Sequence, residues 1–573
     1  MNKHQIAHIL EEMADLLEIS GENPFKVRAY QNAARSIDSL SEDLEELIQN
    51  NQLIEVKGIG KNIAAHVQDL LETDTFPEYE KLKKTIPAGL LECLKIPGMG
   101  AKKAKLLWKK LGVTSIEEVE RACQEGKVES LQGFGKKSQE KIFQSIERSR
   151  KYEGRHLFPT VHEVAKHLLS DLRQISGVLR AELAGSLRRH TETVKDIDIV
   201  VSSASIPNVI KVFLQLPQID QVTNKGTTKV SVILHRGINV DVRFVSEKEF
   251  PSAWHHFTGS KAHNVALRSR AKDRDMKISE YGLFHMKGKR AVPVPCKDEE
   301  VLYKKLGLDF IPPELREEMG EIEAAEKHEL PVLIERADLK GCLHVHTTYS
   351  DGRGTLEEMA LAAKACGLSY IGISDHSKAA HYAGGMQIAD VRRQSAEIDE
   401  LNAKLKGIRI LKGIEVDILA DGSLDYDDDV LASFEFVIAS IHSRFSLSES
   451  EMTKRICTAL AHPLVNILAH PTGRLLLSRE PYQVNIPEVI ACAAEYGKVI
   501  ELNCNPRRFE IDWRWGPLMK EKGVKTVLSP DAHGPEQIAN VDYGIGIGRK
   551  AWFEKKDVVN CLTVAQLLKH FSR

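Results

Sequence analysis

The sequence predicts a multidomain chain with an all-α N-terminal part, an α+β centre and a C-terminal α/β domain built like a distorted barrel. Three observations carry this. Residues 1 to about 150 read as short amphipathic helices interrupted by a recurring Gly-x-Gly pattern. Strands of alternating apolar and polar residues, such as KDIDIVV and NVDVRFV, follow from about 155. Beyond about 335, apolar runs alternate with helical stretches, the order expected of parallel strands joined by helices.

In the N-terminal part the pattern appears as VKGIGKNIAAHV, IPGMGAKKAKLL and LQGFGKKSQEKI. Paired glycines allow a tight turn and close approach of the backbone to a ligand. The helix that follows points free N–H groups and its positive end at an anion. Gly58, Gly60 and Lys61, Gly98, Gly100 and Lys102, and Gly133, Gly135 and Lys136 are therefore candidate phosphate contacts. Contacts of this kind position a nucleic acid without reading its sequence. AKKAKLLWKKLG adds lysines around an apolar helix face.

In the centre, HRGI (235–238) and a basic KGK segment read as hairpin turns. KDIDIVV places Asp196 and Asp198 two residues apart on one strand, so both carboxylates share a face. Asp241 lies on a second strand with Asn239 and Arg243. Three converging carboxylates are costly unless cations neutralise them, and a pair of Mg²⁺ or Mn²⁺ ions suits phosphoryl transfer. AGSLRR, just upstream, offers Gly185, Ser186 and Arg189 for phosphate oxygens. Residues 312–338, proline-bounded and rich in charge, read as a linker or solvent-facing helix.

The C-terminal runs end in ligand-type residues. GCLHVHTTYSDG supplies His344, His346 and Asp351, ISDH supplies His376, and GIEVDI supplies Glu415. ASIH gives His442, LAHP gives His470, and PDAH gives Asp531 and His533. Strand ends of a barrel converge on one face, where active sites are built. Imidazoles and carboxylates together suit Mn²⁺, Zn²⁺ or Fe²⁺. His381 and Arg444 are nearby candidates for phosphate contact.

The ordered set AGSLRR, DID and VDV resembles the nucleotidyltransferase superfamily, and HFTGSKAHNVALR with KISEYGLF narrows the resemblance to the bacterial family X DNA polymerases. The three Gly-x-Gly segments resemble helix-hairpin-helix motifs. The region from 336 resembles a PHP (polymerase and histidinol phosphatase) domain. These likenesses imply a division into 1–85 (gap-binding helix-hairpin-helix domain), 86–152 (fingers-like, two further motifs), 153–250 (palm), 251–316 (thumb), 317–335 (linker) and 336–573 (PHP barrel). They imply that Asp196 and Asp198 hold two metals, and that Asp241 holds one and helps take the primer hydroxyl proton. Ser186 and Arg189 would hold the triphosphate, Thr258, Gly259 and Ser260 the sugar, Asn264 the base and Arg268 the template. In the PHP domain up to three ions are implied: one on His344, His346, Glu415 and Asp531, one on Glu415, His442 and His470, and one on Asp351, His376 and His533.

Two positions depart from the family pattern. His256 stands where a tyrosine begins the Phe-Thr-Gly-Ser turn in animal members. His66 stands at the Schiff-base lysine of the 5′-deoxyribose-phosphate lyase, and an imidazole cannot form that imine. Lys26 and Lys61 remain available to a 5′-phosphate.

With 42% hydrophobic and 28% charged residues and a net charge of −2, the 573-residue composition is that of a soluble globular protein. No apolar run is long enough for a membrane span. Nine scattered cysteines without a CxxC pair argue against a disulfide framework and for a reducing cytoplasm. The expected partners are gapped or primer-template DNA and deoxynucleoside triphosphates, with the chain a nucleoid-associated monomer. The expected activity is gap filling plus a Mn²⁺-dependent 3′→5′ exonuclease that also serves abasic or blocked 3′-ends. The competing expectations are a PHP domain acting on pyrophosphate or small phosphate esters, and a non-catalytic DNA-binding repair scaffold.

Overall fold

The computed structural model describes every residue except 1, 2, 39, 41–43, 51, 57, 95, 97, 289 and 573. Lys57, Pro97 and Lys289 of the motifs above thus lie outside the described residues. The chain forms two compact units, Met1–Glu153 and Gly154–Arg573.

The first unit is helical, with no strand among its described residues. Its helices bury one stripe each: Ile63, Val67 and Leu70 of Lys61–Thr73 follow the i, i+4, i+7 spacing of a single face. Two separate apolar cores result. One gathers residues from Ile6 to Ala101, including Leu17, Tyr30, Val67 and Phe76. The other, from Cys93 to Ile146, is centred on Leu107, Val119 and Ile142.

The second unit begins with a five-stranded sheet of β1 (Val178–Leu183), β2 (Asp196–Ser203), β3 (Ile219–Lys225), β4 (Lys229–Leu234) and β5 (Asn239–Val245), in the order β1-β2-β5-β4-β3. Strand pleating explains its two faces. Ile197, Ile199 and Val201 are fully buried beneath the sheet, while Asp196 and Asp198 point the other way. β2 and β5 run parallel with Asp198 opposite Asp241. The HRGI turn closes β4 onto β5, with Gly237 at φ 71° donating its N–H to the Leu234 carbonyl. The helices Phe250–Thr258 and Lys261–Lys272 follow, then the antiparallel strands β6 (Met276–Ser279), β7 (Gly282–Lys287) and β8 (Arg290–Val294).

The C-terminal region is a parallel sheet of seven strands in sequential order: β9 (Gly341–Val345), β10 (Tyr370–Ile373), β11 (Arg409–Asp417), β12 (Phe436–Ser440), β13 (Ile467–Leu468), β14 (Val499–Asn503) and β15 (Thr526–Ser529). A parallel bridge from Val345 to Ala532 brings the last strand's end back to the first. The strands are buried on both sides, as parallel strands must be. Packing is close enough that a Cβ at Gly413 would come within 2.2 Å of the Phe436 ring.

Two expectations need correction. Residues 312–338 are not simply a solvent-facing helix, because Glu314, Arg316 and Glu321 are buried inside the unit. Arg316 has 0% exposure, donates to the Ile311 carbonyl at 2.9 Å and pairs with Glu299 at 2.7 Å. Glu321 is equally buried and bonds His263 at 2.6 Å. Second, Cys457 and Cys492 form a disulfide between the helices Glu449–Leu460 and Ile486–Glu495, while seven cysteines are free. An odd cysteine count rules out complete pairing, but leaves room for a single bridge.

Glu299 holds two guanidinium groups, Arg188 at 2.5 Å and Arg316 at 2.7 Å, and all three side chains are largely or wholly buried. Removing the carboxylate leaves uncompensated buried cations. Glu299→Gln is expected to destabilise this unit by about 3–5 kcal/mol, read as a lower thermal unfolding midpoint of the full chain.

Candidate active sites

The first site forms where β2 and β5 lie side by side. Burial raises Asp198 to about 7, helped by repulsion from Asp196 and Asp241. Asp196 is raised for the same reasons, burial first and then Asp241. Such a trio holds too much negative charge for its surroundings, which is the condition a divalent cation relieves. Asp241 already has partial compensation: Lys229 Nζ lies 2.7 Å from Oδ2, and Ser231 donates its hydroxyl to Oδ1 at 2.6 Å. Neither residue stands out in the sequence. Gly185, at φ 60°, abuts the trio so closely that a Cβ there would be 2.2 Å from Asp198 Oδ2. Ser186 follows in the short helix Gly185–Arg188 and is half-buried.

The arginines beside this turn are less open than the sequence suggests. Arg189 pairs with Glu317 at 3.0 Å and donates to the Thr258 carbonyl. Arg188 is taken by Glu299 and donates to Thr258 Oγ1 at 2.7 Å. The physical reason is that Glu299 and Glu317 are themselves buried and require cations. Thr258 and Gly259 thus sit against the arginines, with a cis peptide at Gly259–Ser260. Ser260 caps the next helix by accepting from the His263 N–H. Asn264 donates to the His256 carbonyl at 2.8 Å, while its buried Oδ1 has no protein partner. Arg268 is exposed, 3.4 Å from the His256 ring.

In the N-terminal unit the three Gly-x-Gly turns share one geometry. Gly58, Gly98 and Gly133 take φ values of 94°, 87° and 94°. Gly60, Gly100 and Gly135 cap the helices that follow with no side-chain bond, so the first N–H groups stay open. Lys61, Lys102 and Lys136 are exposed beside them. A cavity of about 530 Å³ adjoins the first turn, lined by Lys26, Tyr30, Lys61, His66 and Glu78 among others. His66 stacks on Phe76 with centroids 4.3 Å apart, and its Nδ1 is 2.8 Å from the Tyr30 hydroxyl. Burial lowers its pKa, so the ring is neutral and held in place. Lys26 is paired with Glu78 at 2.5 Å.

The second site lies at the strand ends of the barrel, and Glu415 is its hub. Glu415 Oε1 is 2.9 Å from His470 Nε2 and 3.4 Å from both His344 Nε2 and His442 Nε2. Its Oε2 faces His376 at 2.9 Å and His346 at 3.6 Å. Asp531 Oδ1 lies 3.5 Å from His344 and 3.4 Å from His346. Asp351 Oδ1 is 3.4 Å from His533, 3.7 Å from His376 and 3.8 Å from His346. All nine ligand candidates therefore come together in overlapping groups. His376 stands as near Glu415 and His442 as it does Asp351 and His533, so it belongs to two groups rather than one.

The donor set fits divalent metal ions. His344 Nε2, both nitrogens of His346 and Glu415 Oε2 are buried without hydrogen-bond partners. Two donors on one tetrahedral ion with ~2.1 Å bonds stand about 3.4 Å apart, close to the spacings around Glu415 and Asp531. Burial, first of all, pushes His346 down to about 4, leaving it neutral as a ligand must be. His344, His470 and Asp531 take φ values of 63°, 24° and 48°, a left-handed backbone that turns strand ends inward at a functional site.

Sequence reading missed the supporting layer. Glu501 accepts from His344 Nδ1 and from the His470 N–H. Asn503 donates to Asp531 at 3.0 Å, and Asp417 bonds His442 Nδ1 at 3.1 Å. The signal was present: Asp417 and Asn503 follow Glu415 and Glu501 by two residues on inward-facing strands. His381 and Arg444 are exposed near the rim.

Fold and sites thus define a nucleotidyltransferase joined to a metal-dependent phosphoesterase domain. The comparisons agree. Residues 253–317 match the DNA polymerase beta thumb, 343–505 the PHP domain, 1–76 a helix-hairpin-helix domain and 90–148 a SAM-like helix-hairpin-helix tandem. The chain is 41% identical over 564 residues to the DNA polymerase/3′-5′ exonuclease PolX of Bacillus subtilis, covering 98% of this chain and 97% of that protein. A probable phosphatase of Thermoanaerobacter sp. is 31% identical over 241 residues, 39% of this chain and 91% of that protein. A probable phosphatase of Shewanella sp. is 26% identical over 238 residues, 39% of this chain and 88% of that protein. The chain belongs to the bacterial family X DNA polymerases that carry a C-terminal PHP domain.

Hub and support are separable. Glu415→Gln is expected to weaken Mn²⁺ binding more than about 100-fold, and Asp417→Asn, acting through His442, only about 10-fold. Calorimetric titration of the metal-stripped chain measures both.

Proposed function

We propose that the chain fills short gaps in DNA by nucleotidyl transfer at the Asp196, Asp198 and Asp241 site and shortens 3′-ends at the Glu415 cluster. The observation that carries the first activity is the register that sets Asp198 opposite Asp241, with Asp196 on the same face. Asp196 and Asp198 would hold two Mg²⁺ or Mn²⁺ ions, and Asp241 one of them, positioned to take the proton of the primer 3′-hydroxyl. Those ions, when bound, supply charge for the attacking and leaving oxygens. Ser186 and Arg189 hold the triphosphate, which requires Arg189 to exchange Glu317 for phosphate. Thr258, Gly259 and Ser260 shape the sugar site, the unpartnered Asn264 oxygen meets the base edge, and Arg268 faces the template. The Gly-x-Gly turns, with Lys61, Lys102 and Lys136, hold DNA phosphates. Lys26 and Lys61 take a 5′-phosphate, while His66, an imidazole, cannot itself form the lyase imine.

The second activity rests on the nine clustered ligands, which suit Mn²⁺, Zn²⁺ or Fe²⁺, and we assign it a DNA 3′-end because it shares a chain with a polymerase. The likeness of the barrel to probable phosphatases favours small phosphate esters as the second reading. We retain the division at 85, 152, 250, 316 and 335. Within it, residues 317–335 act as a connector anchored by buried Glu321, Ile322, Ala325, Leu333 and Ile334. The partners in this reading are gapped or primer-template DNA and deoxynucleoside triphosphates, with the chain acting as a monomer at the nucleoid. No helix among the described residues is long and apolar enough to cross a membrane.

A 5′-labelled primer at a one-nucleotide gap, incubated with Mn²⁺ with and without deoxynucleotides, tests both activities. Asp196→Ala/Asp198→Ala is expected to abolish extension and spare shortening, and His344→Ala/His346→Ala to do the reverse. Shortening that survives the histidine changes, or never occurs, removes the exonuclease assignment and leaves the phosphate-ester reading.

A further inference from the structure

The segment after β10, residues 377–386, is fastened tightly beside the metal cluster. Ser377 donates its N–H to the Glu415 carbonyl at 3.0 Å and its hydroxyl to Asp425 at 2.7 Å. The Ala379 N–H bonds the other Asp425 oxygen at 2.7 Å. At the far end the Met386 N–H bonds the His376 carbonyl at 2.8 Å, and the Tyr426 hydroxyl bonds the Met386 carbonyl. Gly385 is packed so closely that a Cβ would be 2.0 Å from the Ser377 carbonyl oxygen. This is not a segment free to fold its side chains away.

From that frame Tyr382 projects with 71% of its surface exposed. Its ring centroid is nonetheless 6.2 Å from the His376 ring and 6.1 Å from the His442 ring, both of them ligand candidates. Leaving an aromatic ring in water forgoes the stabilisation that burial would bring. A ring held in that state, at the mouth of a phosphoester site, has a free face for a second flat group. Aromatic side chains are the usual platforms for bases of single-stranded nucleic acid, and stacking tolerates any base because each has a π-face. The neighbouring cluster can receive the phosphodiester attached to the same nucleotide.

We propose that Tyr382 is the base-binding subsite of the barrel, stacking on the terminal 3′-nucleobase of single-stranded DNA. This rests on the exonuclease reading and deepens it. The subsite selects nucleotides over small phosphate esters without reading sequence, and it acts through the ring face rather than the hydroxyl.

The test compares wild type, Tyr382→Ala and Tyr382→Phe, with Mn²⁺, on two 5′-labelled single strands. One ends in an ordinary 3′-nucleotide and the other in an abasic tetrahydrofuran residue. Wild type is expected to remove the ordinary nucleotide about 10-fold faster in kcat/KM. Tyr382→Ala should lose that advantage while leaving the abasic end unchanged, and Tyr382→Phe should keep it. Equal rates on the two ends in wild type, equal losses on both ends in Tyr382→Ala, or a Tyr382→Phe enzyme as poor as Tyr382→Ala would each overturn the proposal. Failure of wild type on both strands, with bis(p-nitrophenyl) phosphate still hydrolysed in the same preparation, would instead remove the exonuclease reading beneath it.

Discussion

The second unit depends on a half-buried carboxylate with two cations. Glu317 Oε1 accepts from Arg189, at the edge of the carboxylate site, and from Lys550, at the end of the barrel helix Val541–Lys550. Lys550 has no exposed side-chain surface and also donates to the Arg189 carbonyl at 3.2 Å. One residue before it, Arg549 pairs with Glu314 at 2.7 Å and reaches the Ile334 carbonyl at 3.2 Å. Buried charges are tolerated only when paired and hydrogen-bonded. The barrel helix therefore cannot separate from the nucleotide turn without stripping partners from several of them. Residues 312–338 are the strap through which this happens, which is why Glu314 and Arg316 are buried in a segment rich in charge.

The two candidate sites face the same electrostatic problem and solve it differently. In the first, like charges crowd three carboxylates together, and the raised affinity of Asp196 and Asp198 for protons marks a readiness for cations. Lys229 and Ser231 steady Asp241 only. In the barrel, imidazoles are interleaved with carboxylates, so each acid has imidazole neighbours. The outer contacts from Glu501 and Asp417 fix which nitrogen of His344 and His442 faces inward, and Asn503 orients Asp531.

How much of this was legible in the sequence follows from the kind of pattern each residue belongs to. Asp196 and Asp198 were readable because a strand has a period of two. The nine barrel ligands were readable because nearly every one ends an apolar run, and parallel strands bring such ends to one face. Glu299, Glu317 and Lys550 were not, since a lone charge has no period and its partner lies far along the chain. The same blindness made Arg189 look open, because the sequence shows an arginine but not the glutamate that occupies it. Lys229 and Tyr382 were hidden for a related reason: one lies in an ordinary alternating strand and the other in a loop, and only the fold places them beside a site. Cys457 and Cys492, 35 residues apart, were paired by two adjacent helices that no spacing rule announces.

The double pairing of Glu317 also bears on how the nucleotide turn can work. A buried carboxylate with a single cation would hold Arg189 fast, because releasing it would leave the acid bare at a cost of several kcal/mol. In the proposed function, Arg189 turns toward the triphosphate while Lys550 stays paired with Glu317. The Thr258 carbonyl, its other acceptor, is a neutral group and less costly to leave. On that proposal the barrel, through Lys550, contributes a charge to the first site that holds Glu317 whether or not Arg189 stays paired with it.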